Sequence, residues 1–301
     1  MHRMISRSYR KWPLKEIGNR MKDYERQMEW QVQANQYYII RLDGHAFTKY
    51  CQGLTKPFDH RIYLALLHTA ADLLNKFGSR SAFCFSDEIS LVFAPTEPSQ
   101  RSDREGGEEG IIHYQGRTMK LCSLTAGMAS SRFNYYMNMQ QFNDTMGALT
   151  LARIQSHPAI FDSRLFCLPN ADEVVKNIYW RAHDCLRNSK ISFAQHHVSR
   201  QSLHRVKASE AIKLVKDKKG INYSLDTPDW FRYGTLIKKI LVDHEGINGK
   251  TGEPVKVKRS RIAYGSINFT SNLASNIEEI LLAKHAPTET KLQLLKPTLS
   301  P

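Results

Sequence analysis

The chain has 301 residues, with 43 Lys+Arg against 29 Asp+Glu for a formal net charge of +14, and 41% of its residues are hydrophobic. At roughly 100–200 residues per domain this is one large or two modest domains with enough apolar side chains for a core, so disorder along the whole length is excluded. No window approaches the ~18 uninterrupted apolar residues of a membrane helix, and the start MHRMISRSYRKW lacks the apolar stretch of a secretory signal, so a cytoplasmic protein without a membrane partner is expected.

In chain order, a helix-forming stretch runs from Leu14 to about Gln33 and closes a basic N-terminal segment, 1–36. Its Arg-rich start has an alternative reading as an organelle-targeting segment, but the helical pattern from Leu14 onward argues against that. A short β-prone run from Tyr37 to Leu42 ends at Asp43-Gly44. Between Asp59 and Phe77, Ile62, Leu66, Leu67, Ala70, Leu73 and Leu74 recur at spacings of three and four, which predicts a helix with one buried face, stopped by Gly78. Strands Ser81 to Phe85 and Ile89 to Phe93 flank Ser86-Asp87-Glu88, which is long enough only for a tight hairpin. Residues 97–110 read as a polar surface loop, Ile111 to about Met139 as a helix, and Phe161 to Leu168 as a strand broken by Pro169.

Strand, helix, strand, strand, helix, strand is the order of the split βαβ, ferredoxin-like sandwich that polymerase palms and nucleotidyl cyclases use. The expected fold class is α+β: a palm over 37–169, an antiparallel sheet with helices on one face. A basic extension over 170–286 follows, with a long helix from Ala171 to about Phe193, a basic helix from Lys207 to Lys219, and a hairpin around Gly246 to Gly252. That extension is expected to serve RNA binding and oligomerisation, and residues 287–301 form a frayed tail. Cys51, Cys84, Cys122, Cys167 and Cys185 are odd in number and contain no CxxC pair, so they read as reduced thiols rather than disulfides or zinc ligands.

Charge is unevenly spread. Residues 1–26 carry eight basic against three acidic groups and 181–220 carry ten against three, whereas 58–110 carry five against nine. Basic flanks around an acidic centre suit a protein that holds a polyanion at its sides and cations in the middle, although each run alone also fits a solvated face. Asp43 and Asp87 then stand at the ends of neighbouring strands, at one edge of the sheet. Asp-Gly after a strand is by itself a turn and Ser-Asp-Glu a solvated loop, but two carboxylates together are what a pair of Mg2+ ions needs, with the Gly44 carbonyl as a third oxygen.

Ile40-Arg41-Leu42-Asp43-Gly44-His45-Ala46-Phe47, Lys56-Pro57-Phe58-Asp59 and Phe85-Ser86-Asp87-Glu88-Ile89-Ser90 closely resemble the tRNA-histidine guanylyltransferase family and its 3′-to-5′ polymerase relatives. The resemblance extends through Phe161-Asp162-Ser163-Arg164, Trp180-Arg181, Asp184, Arg187-Asn188-Ser189 and Lys207-Ala208-Ser209, covering roughly residues 15–240. It implies activation of a tRNA 5′-monophosphate by ATP or GTP, then attack by the 3′-hydroxyl of an incoming GTP or other nucleoside triphosphate. By resemblance Asp43 and Asp87 hold both Mg2+ ions with Gly44, and the backbone of His45, Ala46, Phe47 and Thr48 cradles the triphosphate. Ser86, Lys56 and Asp59 then surround the nucleotide and Arg41 offsets phosphate charge, while Glu88, alternating away along its strand, stands behind the metals. Arg181, Arg187, Asn188 and Lys207 meet RNA, or belong to a solvated face; a homotetramer or dimer is expected.

Two departures stand out. Members that mature histidine tRNA carry a His-Ile-Asn-Asn type run where this chain has Arg187-Asn188-Ser189, which looks like the branch that repairs truncated 5′ ends by copying the opposite strand. Thr48 replaces a common His. A nucleotidyl cyclase on the same palm and a catalytically idle RNA-binding protein are the competing readings. The basic flanks count against the first and the paired Asp43 and Asp87 against the second.

Overall fold

A computed structural model describes residues 13–96, 113–142, 145–247, 252–271 and 276–296. The first twelve residues, the 97–110 loop, part of the Gly246–Gly252 turn and the last five residues fall outside the described residues. The elements are α1 (Leu14–Arg26), β1 (Tyr37–Gly44), α2 (Phe47–Tyr50), α3 (His60–Phe77), β2 (Ser81–Phe85), β3 (Glu88–Phe93), α4 (Thr118–Asn138), α5 (Thr145–Ser156), β4 (Phe161–Leu168), α6 (Ala171–His197), α7 (Ala208–Lys219), α8 (Tyr223–Asp226), α9 (Asp229–Tyr233), β5 (Thr235–Ile247), β6 (Pro254–Gly265), α10 (Ile277–Leu282) and β7 (Gln293–Leu294).

The strands form one antiparallel sheet in the order β4-β1-β3-β2-β5-β6-β7. Its first four strands have the split βαβ order. Because side chains alternate across a strand, Tyr38, Ile40 and Leu42 face one side with Ile89, Leu91 and Phe93, and there α3 and α4 supply Leu66, Leu67, Leu73, Leu74 and Phe133. Ile39 and Val92 face the other side, where Val174, Ile178 and Ala182 of α6 and Ile280 and Leu281 of α10 cover them. Helices therefore lie on both faces rather than the one expected. Each fully buried Leu or Ile side chain contributes about 1.5–3 kcal/mol over exposure, so α6 is integral to the core.

The predicted boundary at 170 does not separate two domains. Beside α6, β5 continues the sheet, pairing Thr235 to Lys238 with Ser81 to Cys84. The tail is not wholly frayed either: Gln293 and Leu294 pair with Tyr264 and Ala263. The first helix ends at Arg26 instead of Gln33, because the chain then turns extended, bridges Gln31 to Arg117, and donates the Val32 N–H to the Gly116 carbonyl. Gly116 passes so close to the Val32 backbone that a Cβ would press into its carbonyl oxygen, and its positive φ suits glycine. The following helix accordingly begins at Thr118, after a turn at His113–Gly116 in which Tyr114 and Gln115 take left-handed backbone, φ 54° and 57°. Helix α5 had no counterpart in the sequence reading.

Candidate active site

β1 and β3 lie side by side, with Asp43 opposite Glu88 and Arg41 opposite Ser90. Their ends are tied where the hairpin turns, because the Gly44 N–H donates to the Asp87 carbonyl at 3.0 Å. A Cβ on Gly44 would press into Phe47 Cδ2 and lie 3.0 Å from Asp87 Cβ, so only glycine lets the β1 end approach the Asp87 side chain this closely. Near both carboxylates the backbone takes left-handed conformations at non-glycine residues, with φ 51° at Ala46, three residues after Asp43, and 52° at Ser86, just before Asp87. Each costs about 1–3 kcal/mol and clusters where geometry serves function rather than stability.

Burial raises the Asp87 carboxyl above the ordinary aspartate range; a hydrogen bond from Ser86 opposes the rise and the nearby Asp43 charge adds to it. Two like charges held together favour a cation between them. The donor chemistry fits a hard divalent ion such as Mg2+: two carboxylates and the Gly44 carbonyl, all oxygen. Burial pushes the nearby Cys51 thiol up to about 12, with Lys56 working against and Asp87 and Asp59 adding to the shift. Among the described residues no group of three or more His, Cys, Asp or Glu side chains is placed to hold a metal.

Of the four backbone N–H groups expected to cradle a triphosphate, one is already engaged. The His45 N–H donates to the Ile160 carbonyl at 2.8 Å and so is not open to a ligand. Among the described residues, the N–H groups of Ala46, Phe47 and Thr48 donate to no backbone carbonyl outside α2, as the first N–H groups of a helix do. Such groups favour an anion. Arg153 of α5 braces this turn from outside, donating to the carbonyls of Tyr50 at 2.7 Å and Gln52 at 2.5 Å.

Beside Asp87 opens a cavity of about 350 Å3 that Phe47, Thr48, Lys56, Asp59, Ser86 and Asn188 help to line. It brings together much of the predicted nucleotide set. Asp59 has a structural duty there: it caps α3 by accepting from Arg61 N at 2.9 Å, accepts from Thr55 N at 2.9 Å, and takes the Arg61 guanidinium at 2.7 Å. Burial works to raise its carboxyl, but the Arg61 side chain and both N–H donors outweigh burial and hold it below the usual range. It shapes the cavity wall with acceptors already engaged. Sequence reasoning missed the far wall, where Trp230 stacks on Tyr63 with centroids 4.3 Å apart and lies edge-on to Phe58. It also missed Ser192 and Gln195, although with Asn188 they stand at i, i+4 and i+7 along α6, a helical face legible in the sequence.

Of the predicted RNA contacts, Arg181 is a correction. It is 7% exposed, and its guanidinium forks onto Glu88 at 2.7 and 2.6 Å and reaches Asp184 at 3.1 Å. Burying Glu88 required a buried partner, and the helix that covers this sheet face supplies it. Burial still raises the Glu88 carboxyl, with Arg181 and Arg41 opposing and Asp43 adding. Glu88 is thus on the same face as Asp43 and not turned from it, locked under Arg181. Arg41 Nε is buried without an acceptor among the described residues. Asn188 lines the cavity, whereas Arg187 is exposed and paired with Asp184, and Lys207 is exposed at the start of α7, outside the cavity.

A family model described as tRNAHis guanylyltransferase matches residues 18–169. An uncharacterized protein of Acanthamoeba polyphaga mimivirus is 31% identical over 257 residues, 82% of this chain and 86% of that one. tRNA(His) guanylyltransferase 1 of Arabidopsis thaliana is 23% identical over 83% of this chain, which spans 42% of that protein's length. Among solved structures, a bacterial tRNA(His) guanylyltransferase-like protein in complex with ATP superposes with a TM-score of 0.63 at 27% identity, covering 74% of this chain and 88% of that one. The same description in complex with GTP gives 0.55 at 25% identity, over 80% and 90%.

Proposed function

This chain belongs to the tRNAHis guanylyltransferase family, and from that premise we propose that it is a Mg2+-dependent nucleotidyltransferase that adds nucleotides in the 3′-to-5′ direction to the 5′ end of tRNA. The observation that carries this reading is the pairing of Asp43 and Asp87 across tied strand ends, beside a cavity of nucleotide size. The bacterial relatives in complex with ATP and GTP support a nucleoside triphosphate as its occupant. On this account the first four strands serve as a polymerase-type palm.

Each residue then has a task. Asp43, Asp87 and the Gly44 carbonyl would hold two Mg2+ ions, which would activate the attacking oxygen and neutralise the leaving phosphate group of each step. The N–H groups of Ala46, Phe47 and Thr48 hold the phosphate chain, and Lys56 offsets its charge. The aromatic wall of Phe58 and Trp230 takes the base face, and the α6 side chains Asn188 and Gln195 read its edge. Arg41 Nε, buried and without an acceptor among the described residues, leaves the Arg41 charge to offset that of the phosphates. Glu88 and Arg181 keep the floor under Asp43 rigid. In the first step the tRNA 5′-phosphate attacks the α-phosphorus of the triphosphate and pyrophosphate leaves. In the second, the 3′-hydroxyl of the incoming nucleotide attacks the activated 5′-phosphorus and the activating nucleoside monophosphate leaves.

The Arg187-Asn188-Ser189 form favours templated repair of truncated 5′ ends over obligatory maturation of histidine tRNA. Exposed Arg187 and Lys207 are left as the phosphate contacts, in an assembly of two or four copies. Calorimetric titration of GTP and ATP, with and without Mg2+, tests the site: binding should require Mg2+ and be lost in Asp87→Asn, and Mg2+-independent binding would contradict it.

A further inference from the structure

We propose that Trp180 is the platform on which the terminal base of the RNA stacks as its 5′ end meets Asp43 and Asp87. The inference rests on the function proposed above and adds to it the surface that receives the polynucleotide.

Trp180 is 54% exposed, although the next residue is one of the most buried charges in the protein. Its ring lies against the Arg181 guanidinium, 4.6 Å from ring centroid to Cζ. That guanidinium is fixed from below by Glu88 at 2.7 and 2.6 Å and from the side by Asp184 at 3.1 Å. The indole therefore rests on a preorganised ion pair and loses little freedom when a ligand covers it. Glu88 is the register partner of Asp43, so this rigid stack stands beside the carboxylate edge.

The cavity that suits the nucleotide uses a different part of α6: Cys185, Asn188, Ser189, Ser192 and Gln195, with Trp180 absent from its lining. A nucleotide in the cavity thus leaves the indole uncovered and open to the second substrate. The surroundings match a nucleic acid end. Tyr179 is 38% exposed and packs edge-on to His183, centroids 4.4 Å apart. Arg187, about 10 Å further along the helix at 1.5 Å per residue, has a side chain 64% exposed. Across on β4, Arg164 has a side chain 49% exposed. Aromatic faces set among arginines are what stacked bases and their phosphates require. A terminal base, unlike one inside the stack, presents a free face to such a platform.

The test uses the full chain, a 5′-monophosphorylated tRNA transcript, and the same transcript with an abasic first nucleotide, with Trp180→Leu and Trp180→Phe. Leu keeps an apolar cover over Arg181 without a π face. W180L should bind the intact RNA about five- to a hundredfold more weakly, W180F should retain most of the affinity, and GTP binding should stay at the wild-type value in both. Removing the first base should weaken wild type by a similar factor and leave W180L unaffected. An abasic penalty equal in wild type and W180L would overturn the assignment whatever the variant does to stability. So would a change in sedimentation mass on W180L substitution, which would assign the indole to contact between copies. Loss of GTP binding by the wild type would instead strike at the parent reading.

Discussion

Gly44→Ala is the most direct probe of how tightly the carboxylate edge is built. The new methyl would press into Phe47 Cδ2 and sit 3.0 Å from both Phe47 Cε2 and Asp87 Cβ. Ordinary carbon contacts are ~3.5–4.0 Å, so the neighbours must give by roughly 0.5–1 Å or more. Phe47 has little room, being 6% exposed with its ring centroid 5.1 Å from Tyr50 and 5.4 Å from Phe133. Overpacking of this kind costs about 1–3 kcal/mol, offset by the ~0.4–1 kcal/mol that alanine gains through the unfolded chain where its backbone is tolerated. A net loss of about 1–2 kcal/mol should lower the melting temperature by roughly 2–8 °C. Activity should suffer more, because a displacement of about 1 Å at a reacting group costs on the order of 10²-fold. Thermal unfolding by circular dichroism and turnover on a 5′-monophosphorylated RNA measure the two effects. G44A with wild-type melting and turnover would refute the close approach.

Arg181→Met leaves Glu88 buried without a partner and should cost about 3–5 kcal/mol in urea unfolding, whereas Arg181→Met with Glu88→Met should recover most of it; a single variant as stable as wild type would mean the pair is open in solution. Asp59 has a folded-state pKa below its unfolded one, so its contribution is present at neutral pH and lost as the pH falls through the lowered value. Asp59→Asn should flatten that acid limb in urea midpoints measured against pH, and an unchanged limb would remove Asp59 as its source. Asp87→Asn removes a buried carboxylate held near Asp43, so without Mg2+ it should melt no lower than wild type, while the rise in melting temperature that Mg2+ should give the wild type should be lost. An equal rise in both would show that Asp87 is not a ligand.

The parts of the fold legible in sequence are those whose pattern one element sets by itself. Leu66, Leu67, Ala70, Leu73 and Leu74 mark α3 by spacing, and Gly78, with φ 64°, ends it as its position suggested. Alternation and the short Ser86-Asp87-Glu88 turn gave β2 and β3, and their order brought Asp43 and Asp87 together. Features set by distant partners were not legible. Arg181 reads as exposed in a basic helix because the residue that buries it, Glu88, lies 93 positions earlier. The His45 N–H looked open because its acceptor, Ile160, sits in the segment between α5 and β4. Helix α5 is half apolar, but its apolar residues are not confined to one face, with Leu149 exposed and Ile154 buried, so no single stripe betrays it; Arg153 bonds two carbonyls of a loop some hundred residues away. Trp230, in a five-residue helix, enters the cavity wall only once α9 packs beside α6.

The central claim is nucleotidyl transfer to an RNA 5′ end by the Asp43 and Asp87 edge. The protein is incubated with Mg2+, all four nucleoside triphosphates and two 5′-monophosphorylated RNAs, a full-length histidine tRNA and a tRNA lacking its first nucleotide, and the 5′ ends are mapped for wild type and Asp87→Asn. The account predicts that the wild type restores the missing nucleotide with the base complementary to the opposite strand and that Asp87→Asn leaves both RNAs unchanged. No extension of either RNA by the wild type, or extension that survives Asp87→Asn, would contradict it.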